Sequence, residues 1–355
     1  MPWQDIRGQQ VAIDLLRRSV ERGRLAHGYA FYGPRGVGRK LVARTLAQAL
    51  FCPNVPDEDL DACGHCPSCK QVAIGSHPDL LEVGLPADKK TIPLDALIGE
   101  PEKRGRQGLC YELSMRPLAA PRRIAIIDDA DALAVEGANA LLKTLEEPPA
   151  GAILILIAGS PESLLPTIRS RCQPLHFAPL PDPDLVALLA EQGHDAADAQ
   201  AVVSLAGGSL ETAAQLLDPE LRQLRESVRG AIAVTPFNAL AASATAQKAI
   251  DSLGSDNPSQ RRIAQLMLRF VVDLLREAMR AEIDPSGASQ EAVRLLDSLP
   301  VDADRLELIG RMVDRVVTAE GSIAMMSPLW LVLDGLFDDL GAIRRGAERP
   351  MFELS

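Results

Sequence analysis

The 355-residue sequence has no long apolar run and no excess of positive charge. Its longest apolar stretch, at about 153–158, is too short to cross a bilayer, which excludes a membrane-spanning protein. The formal net charge of −11 argues against a protein that binds nucleic acid unaided, because lysine and arginine dominate affinity for phosphates. The N-terminal segment is polar, so we expect no signal peptide and a cytoplasmic location.

Cysteines are few, yet four of the six form one group. Cys52 is followed, after ten residues, by Cys63, Cys66 and Cys69 at C-x₂-C-x₂-C spacing. Four thiolates suit tetrahedral Zn²⁺, and a site closed by four protein ligands is structural. A ferredoxin-type iron–sulfur run needs a further cysteine where Ala73 stands, and disulfide pairing is disfavoured in a reducing cytosol. The spacing therefore predicts a structural zinc site.

A hydroxyl residue is missing from a segment that otherwise resembles a phosphate-binding loop. The stretch "FYGPRGVGRK" matches the pattern G-x-x-x-x-G-K-[ST] at Gly33 and Gly38, with Gly36 between them. Arg39 stands in the lysine position, and Lys40 stands where Ser or Thr holds Mg²⁺. Arginine is a bulky planar fork and does not substitute freely for a slim ammonium.

A strand ending in acids supplies the second half of a nucleotide site. Residues 124–127 are apolar and lead into Asp128 and Asp129, the arrangement that brings a Mg²⁺-binding carboxylate to the loop. Asp129 is one methylene shorter than the glutamate that usually polarises the attacking water. These departures weigh against ATP hydrolysis and leave the binding of ATP and Mg²⁺ open.

Strand and helix signals alternate in the first half and give way to helical periodicity from about residue 179. Strands separated by helices predict a doubly wound α/β fold with a parallel sheet. The charged segment 99–108 looks like an insertion with a composition typical of a disordered loop. We predict three domains: an α/β phosphate-loop domain at 1–178 with a zinc module at about 52–69, a small helical domain at 179–217, and an all-α domain at 218–355.

One arginine lies just before a short strand-like segment. Arg171 has two interpretations: a surface salt bridge, the usual fate of arginine, or an arginine finger that enters a neighbouring subunit's nucleotide site. Its position in the sequence does not decide between them.

Four further segments carry a family resemblance. "NALLKTLEEPP" (139–149), "LLPTIRSRC" (164–172), "SHPDL" (76–80) and "LAGGS" (205–209) together resemble bacterial clamp-loader subunits of the AAA+ class. The resemblance covers about residues 3–217. It implies an AAA+ core with a parallel sheet and an inserted zinc module, a small helical lid, and a helical collar that joins a pentameric ring.

Within that family the motor subunits (gamma/tau) keep an intact G-K-[ST] loop, whereas a second kind keeps the fold, the zinc module and the S-R-C arginine with a degenerate loop. Arg39, Lys40 and Asp129 make this chain similar to the second kind. The resemblance implies a stator in the DNA polymerase III holoenzyme, a nucleotidyltransferase complex. Such a subunit helps an ATP-driven ring load the sliding clamp onto primed DNA without hydrolysing ATP itself.

The resemblance also implies roles for individual residues and partners. Arg171 would complete the ATP site of an adjacent motor subunit, and the four cysteines would bind zinc. The partners would be the motor (gamma/tau) and delta subunits, the sliding clamp, and primed DNA through the complex, with no membrane. The alternatives are an ATP-hydrolysing gamma/tau-type motor or other AAA+ ATPase, and, last, a zinc-dependent nucleic-acid-binding module.

Overall fold

The computed structural model describes residues 3–86, 89–286, 288–300 and 303–346. The chain divides between Ala214 and Gln215 into two compact units. The first unit contains a β-sheet and its covering helices, and the second is helical within the described residues. The parallel α/β core and the helical C-terminal region that the sequence predicts are both confirmed.

The first unit alternates strands and helices along the chain. Its strands are β1 (Gly28–Tyr32), β2 (Leu80–Val83), β3 (Arg123–Ile127), β4 (Ala152–Ala158) and β5 (Gln173–His176). Its helices are α1 (Gln10–Glu21), α2 (Arg39–Phe51), α3 (Pro67–Ala73), α4 (Leu94–Ile98), α5 (Leu109–Ser114), α6 (Val135–Glu146), α7 (Pro166–Arg169), α8 (Asp182–Glu191) and α9 (Ala196–Val203), and α10 (Leu210–Leu216) runs into the second unit.

The five strands form one parallel sheet in the order β2-β3-β4-β1-β5. Gly28 of β1 pairs with Leu154 of β4, and Arg123 of β3 pairs with Ala152 of β4. Every residue of β1, β3 and β4 is buried, which explains their continuous apolar sequences, because helices cover both faces of such a sheet. The sequence does not predict the edge strand β2, whose burial is mixed: Leu80 is buried and Glu82 is exposed.

The parallel arrangement separates the candidate residues into two groups. The carboxyl ends of β1 and β3 lead into Gly33 and Asp128. The altered loop and the acids therefore lie together along the carboxyl ends of the strands, which is one of the two edges of the sheet that run across the strands. Arg171 comes just before β5 and therefore lies at the opposite edge. The five residues of β1 span about 16 Å at roughly 3.3 Å per residue, which is the separation of the two edges.

The segment 99–108 differs from the expectation of disorder. It contains a 3₁₀ turn, Pro101–Lys103, and a bridge between Arg104 and Gln107. Its ends touch: a Cβ atom at Gly108 would lie 2.4 Å from the backbone nitrogen of Gly99. The polar composition thus belongs to a closed surface loop whose neck needs glycine.

The second unit packs its helices around an apolar interior crossed by buried arginines. These helices are α11 (Pro219–Ala233), α12 (Ala239–Leu253), α13 (Asn257–Ile283), α14 (Gln290–Asp297), α15 (Arg305–Ala324) and α16 (Leu329–Arg344). Arg315 of α15 pairs with Asp339 of α16. Arg344 donates to the carbonyl of Ile232 and lies over the ring of Phe237. None of the helices in the described ranges combines the length and the apolar character that a bilayer crossing requires.

Candidate functional site

The altered loop has the backbone of a phosphate-binding turn. Gly33, Gly36 and Gly38 all have positive φ angles, of 154°, 71° and 96°. Gly38 caps α2, which begins at Arg39, so a strand, a tight turn and a helix N-terminus follow one another as such a loop requires. The glycine spacing therefore corresponds to real turn geometry.

The guanidinium of Arg39 is bound to the end of a sheet strand. Its side chain is buried, and its Nη1 donates a hydrogen bond to the backbone carbonyl of Ala158 at the end of β4. Burial lowers the pKa of Arg39, although Asp131 and Asp128 oppose that shift. The guanidinium thus ties the loop to the sheet, and its Nη1 would have to leave Ala158 in order to bridge phosphates.

Both acids after β3 are already paired with cations of the loop. The ammonium Nζ of Lys40 lies 3.0 Å from Oδ2 of Asp128, and Nη2 of Arg35 lies 2.5 Å from Oδ1 of Asp129. Mg²⁺ prefers carboxylate, hydroxyl and water oxygens. Here the ammonium of Lys40 stands in place of the hydroxyl and forms an ion pair with the carboxylate of Asp128. This set of side chains does not fit a Mg²⁺–nucleotide complex.

A cavity of about 510 Å³ nevertheless remains beside the loop. Its lining includes the loop, the acids and four residues that follow β5, namely Gln192, Leu210, Glu211 and Ala214. The backbone N–H of Leu210 donates to the carbonyl of Gly36 at 3.0 Å. The sequence prediction missed Glu211, although the "LAGGS" motif just before it was the available signal.

A third acid that the sequence prediction missed shapes this edge of the sheet. Asp131 accepts hydrogen bonds from the backbone N–H of Gly159, at 2.8 Å, and from the hydroxyl of Ser163. It therefore holds the segment that follows β4 against the turn that follows β3. The run of three acids in "DDAD" was the only sequence signal, and it did not distinguish their roles.

The four clustered cysteines form a compact thiol site. Their Sγ atoms all lie within 4.8 Å of one another, and Cys63 Sγ is 4.0 Å from Cys69 Sγ. Sulfur atoms about 2.3 Å from a tetrahedral ion would lie about 3.8 Å apart, so the cluster fits a metal ion with little adjustment. All six cysteines of the chain are free thiols.

Hydrogen bonds to sulfur favour the thiolate form of one cysteine of this cluster, Cys63. The backbone N–H of His65 and other donors around Cys63 lower the pKa of Cys63 to about 6, whereas burial raises the pKa of Cys69. His77 takes no part as a ligand, because its Nε2 is 2.8 Å from the Ser68 hydroxyl and its ring stacks on Phe51. The four cysteines could therefore bind a metal ion by themselves.

Arg171 lies at the amino ends of the strands and contacts residues of α6 and α7. Its Nη2 lies 2.7 Å from Oε1 of Glu146, the last residue of α6, and its Nη1 donates to the carbonyl of Thr167 at 2.8 Å. Both side chains of the ion pair are partly exposed. The sequence prediction missed Glu146, because nothing in the sequence relates it to a residue 25 positions later.

Fold and site together define an α/β protein of the phosphate-loop class with an altered loop and a four-cysteine module. Residues 8–181 match the family model described as "DNA polymerase III, delta subunit". Delta' subunits of DNA polymerase III from Bacillus subtilis and Pseudomonas aeruginosa are 36% and 33% identical over 194 and 230 residues. These alignments cover 54% and 64% of this chain, and the same shares of the two relatives. Over roughly its first half, the chain is therefore similar to the delta' subunits of DNA polymerase III.

Tau and gamma/tau subunits of DNA polymerase III are also similar to this chain. The tau subunit of DNA polymerase III from Bacillus subtilis is 30% identical over 222 residues, which cover 61% of this chain and 37% of that protein. Among solved structures, a gamma-subunit-related protein from Thermotoga maritima superposes with a TM-score of 0.40 at 17% identity, covering 94% of this chain and all of that one. The chain is thus similar to both delta' and tau subunits of DNA polymerase III.

Proposed function

We propose that the protein is the delta-prime stator of a bacterial clamp loader. It occupies one position in a pentameric ring with motor (gamma/tau) and delta subunits, works in the cytoplasm, and helps that ATP-driven ring load the sliding clamp onto primed DNA. It hydrolyses no ATP itself. In this proposal residues 1–178 are the AAA+ core, 179–217 the lid and 218–355 the collar that joins the ring.

The observation that carries the proposal is the Lys40–Asp128 ion pair at 3.0 Å. The ammonium lies where a working phosphate loop would have Mg²⁺ between its hydroxyl and its acid. Arg39, buried against Ala158, removes the second cation that a triphosphate would need. An ATPase would have to break these contacts before it could bind its metal, so a non-hydrolysing subunit is the better match.

The position of Arg171 supports a role in another subunit's ATP site. It lies at the sheet edge opposite its own loop, so it cannot reach phosphates bound there without a rearrangement of the core. Its side chain remains about one-third exposed. An arginine finger supplied in trans stabilises charge that develops on the transferred phosphoryl group.

The four-cysteine cluster is proposed to hold one structural Zn²⁺. Four thiolates close the coordination sphere and leave no position for a substrate or water. The ion would hold together the excursion between α2 and β2, and a chelator would loosen that excursion without supplying or removing any catalytic group.

The test is the DNA-stimulated ATPase activity of rings reconstituted with motor and delta subunits. We compare wild type, Arg171→Ala, and Arg169→Ala, which removes the same charge from an exposed residue of α7. With Arg171→Ala, the ATP site of the neighbouring subunit should hydrolyse ATP roughly 10³-fold more slowly. The ATPase rate of the ring should therefore fall by at least the fraction that this site contributes. Arg169→Ala should match wild type, and the isolated chain should show no turnover.

Two results would contradict the proposal in different ways. Turnover by the isolated chain would favour the alternative of a gamma/tau-type motor or another AAA+ ATPase, despite the altered loop. A ring whose ATPase rate is unchanged by Arg171→Ala would rule out the arginine-finger role and leave this chain a structural role in the ring.

A further inference from the structure

We propose that Glu146 is a positioning residue for Arg171, and that it competes with phosphate for the guanidinium. Its carboxylate holds the arginine on the chain's own surface until the phosphate of a neighbouring subunit replaces it. This inference rests on the proposed role of Arg171 in a neighbour's ATP site.

The contacts of Arg171 form a defined holding site. Glu146 Oε1 lies 2.7 Å from Nη2, and Nη1 lies 2.8 Å from the carbonyl of Thr167 and 3.3 Å from the hydroxyl of Ser170. The carboxylate comes from the end of α6, and the other two oxygens come from the turn around α7. The guanidinium is thus held between two elements in one orientation.

The electrostatic surroundings strengthen this hold on the arginine. Glu146 is the last residue of α6, and Glu147 follows it at the helix cap. The carboxyl end of a helix carries partial negative charge, which favours a cation beside it. The guanidinium therefore rests in a negative environment even though Glu146 is half exposed.

Carboxylate and phosphate present similar pairs of oxygens to the guanidinium fork. Nη2 of Arg171 is committed to Glu146 in the free chain, so a phosphate that uses the same nitrogen has to displace the carboxylate. Exposed ion pairs of this kind are weak, which makes the exchange feasible when a neighbour brings a more highly charged anion. The chain's own loop lies at the opposite edge of the sheet, so the competing phosphate must come from another molecule.

The experiment measures KM for ATP and kcat separately in reconstituted rings with primed DNA. Glu146→Gln keeps the length of the side chain but removes its charge, so we expect KM to fall by roughly three- to tenfold, with kcat within about twofold of wild type. Glu136→Gln removes the same charge from an exposed residue in the first turn of α6, at the other end of the helix, and should leave both constants unchanged. The gain from Glu146→Gln should shrink as salt is raised from about 0.05 M to about 0.5 M, because exposed charges are screened.

The double variant separates this inference from the proposal beneath it. Glu146→Gln with Arg171→Ala should behave like Arg171→Ala alone, since Glu146 acts through the arginine. If Arg171→Ala lowers kcat while Glu146→Gln leaves KM unchanged or lowers kcat, the competing role of Glu146 is wrong and the finger stands. If Arg171→Ala has no effect, the finger is wrong, and the role of Glu146 is overturned with it. Thermal melting of each variant checks that it is folded.

Discussion

Some buried polar groups in this protein bind partners that lie far away in the sequence. Asp79 is fully buried, and its carboxylate accepts the backbone N–H groups of Leu118, Ala119 and Ala120 at 2.7–2.9 Å. Arg123 Nε lies 3.2 Å from the same carboxylate, an ionic contact without hydrogen-bond geometry. One side chain thereby holds the segment before β3 against the start of β2.

We expect Asp79→Asn to lower the free energy of unfolding by about 3 kcal/mol, because it leaves the Arg123 guanidinium buried without its counter-charge. Urea unfolding at pH 7 measures the loss, and Asp59→Asn, an exposed carboxylate, should cost well under about 1 kcal/mol. A loss for Asp79→Asn as small as that of the control would contradict the assigned role.

The same residue predicts a pH dependence with a definite sign. Burial by itself raises the pKa of Asp79, but the three N–H donors and Arg123 outweigh it and bring the pKa below its usual 3.8. A carboxyl with a lowered pKa stabilises the fold above the unfolded-state value and loses that contribution as pH falls through the folded-state value. The difference between wild type and Asp79→Asn should therefore be constant from about pH 7 to pH 5 and shrink below about pH 4.

At the residue scale, the sequence predicts which residues form a site better than it predicts which distant residues pair with each other. The spacing of Cys52, Cys63, Cys66 and Cys69 leads directly to the cluster that the structure contains, because a short chain can bring those thiols together locally. Glu146 gives no such signal, since its pairing with a distant arginine depends on how the ends of α6 and β5 meet.

At the scale of elements, the altered loop and the helices after β5 are fitted to each other. A Cβ atom at Gly36 would lie 2.4 Å from the hydroxyl oxygen of Ser209 and 2.8 Å from the backbone nitrogen of Glu211, whereas a Cβ at Gly38 would meet nothing within 4 Å. Both glycines have positive φ angles. The two positions therefore separate backbone strain from crowding.

We expect Gly36→Ala to destabilise the protein by at least about 1 kcal/mol more than Gly38→Ala. Both substitutions cost the strain of a left-handed residue, on the order of 1 kcal/mol, but only Gly36→Ala also pushes away Ser209 and Glu211. Chemical unfolding of the two variants in parallel measures the difference. Equal losses would mean that the contact between the loop and the helices after β5 contributes nothing to stability.

Elements with a strong local pattern were predictable, and elements without one were not. The apolar run of β4 announces a strand buried on both faces, as the structure has it. The four residues of β2 are too few and too mixed to show a period, and β2 exists because it pairs with β3. The prediction of disorder for the segment 99–108 was wrong for a related reason. Its composition is that of a disordered loop, but close contact between Gly99 and Gly108 brings its two ends together.

At the scale of the whole molecule, the unfolding of the two compact units can be followed separately, because each unit contains one tryptophan. The chain has two tryptophans, Trp3 in the first unit and Trp330 in the second. Trp3 is buried, and its indole N–H donates to the carbonyl of Leu60, which lies inside the four-cysteine module. Trp3 is thus a natural probe of that module, and Trp330→Phe leaves it as the sole tryptophan.

We expect the purified Trp330→Phe protein to contain one equivalent of zinc by elemental analysis. Removing that zinc with a chelator should shift Trp3 emission to longer wavelength and lower the unfolding midpoint of the first unit, because a structural zinc site contributes directly to folding. Helical signal from the second unit should persist at temperatures where the first has unfolded. Cys69→Ser should reproduce the chelator's effect, and Cys110→Ser, outside the cluster, should not; a metal-free protein with unchanged Trp3 emission would rule out the zinc site.

By itself the sequence determined the parallel α/β class, the turn glycines, the cysteine cluster and the family resemblance, because each depends on residues close together or on a repeating local pattern. Only the tertiary structure decided what the charged groups do. It brought Lys40 to Asp128, buried Arg39 against β4, and put Arg171 beside Glu146 at the far edge of the sheet. Ion pairs between distant segments depend on strand order and on which edge of the sheet each strand end reaches, and no local pattern in the chain encodes either.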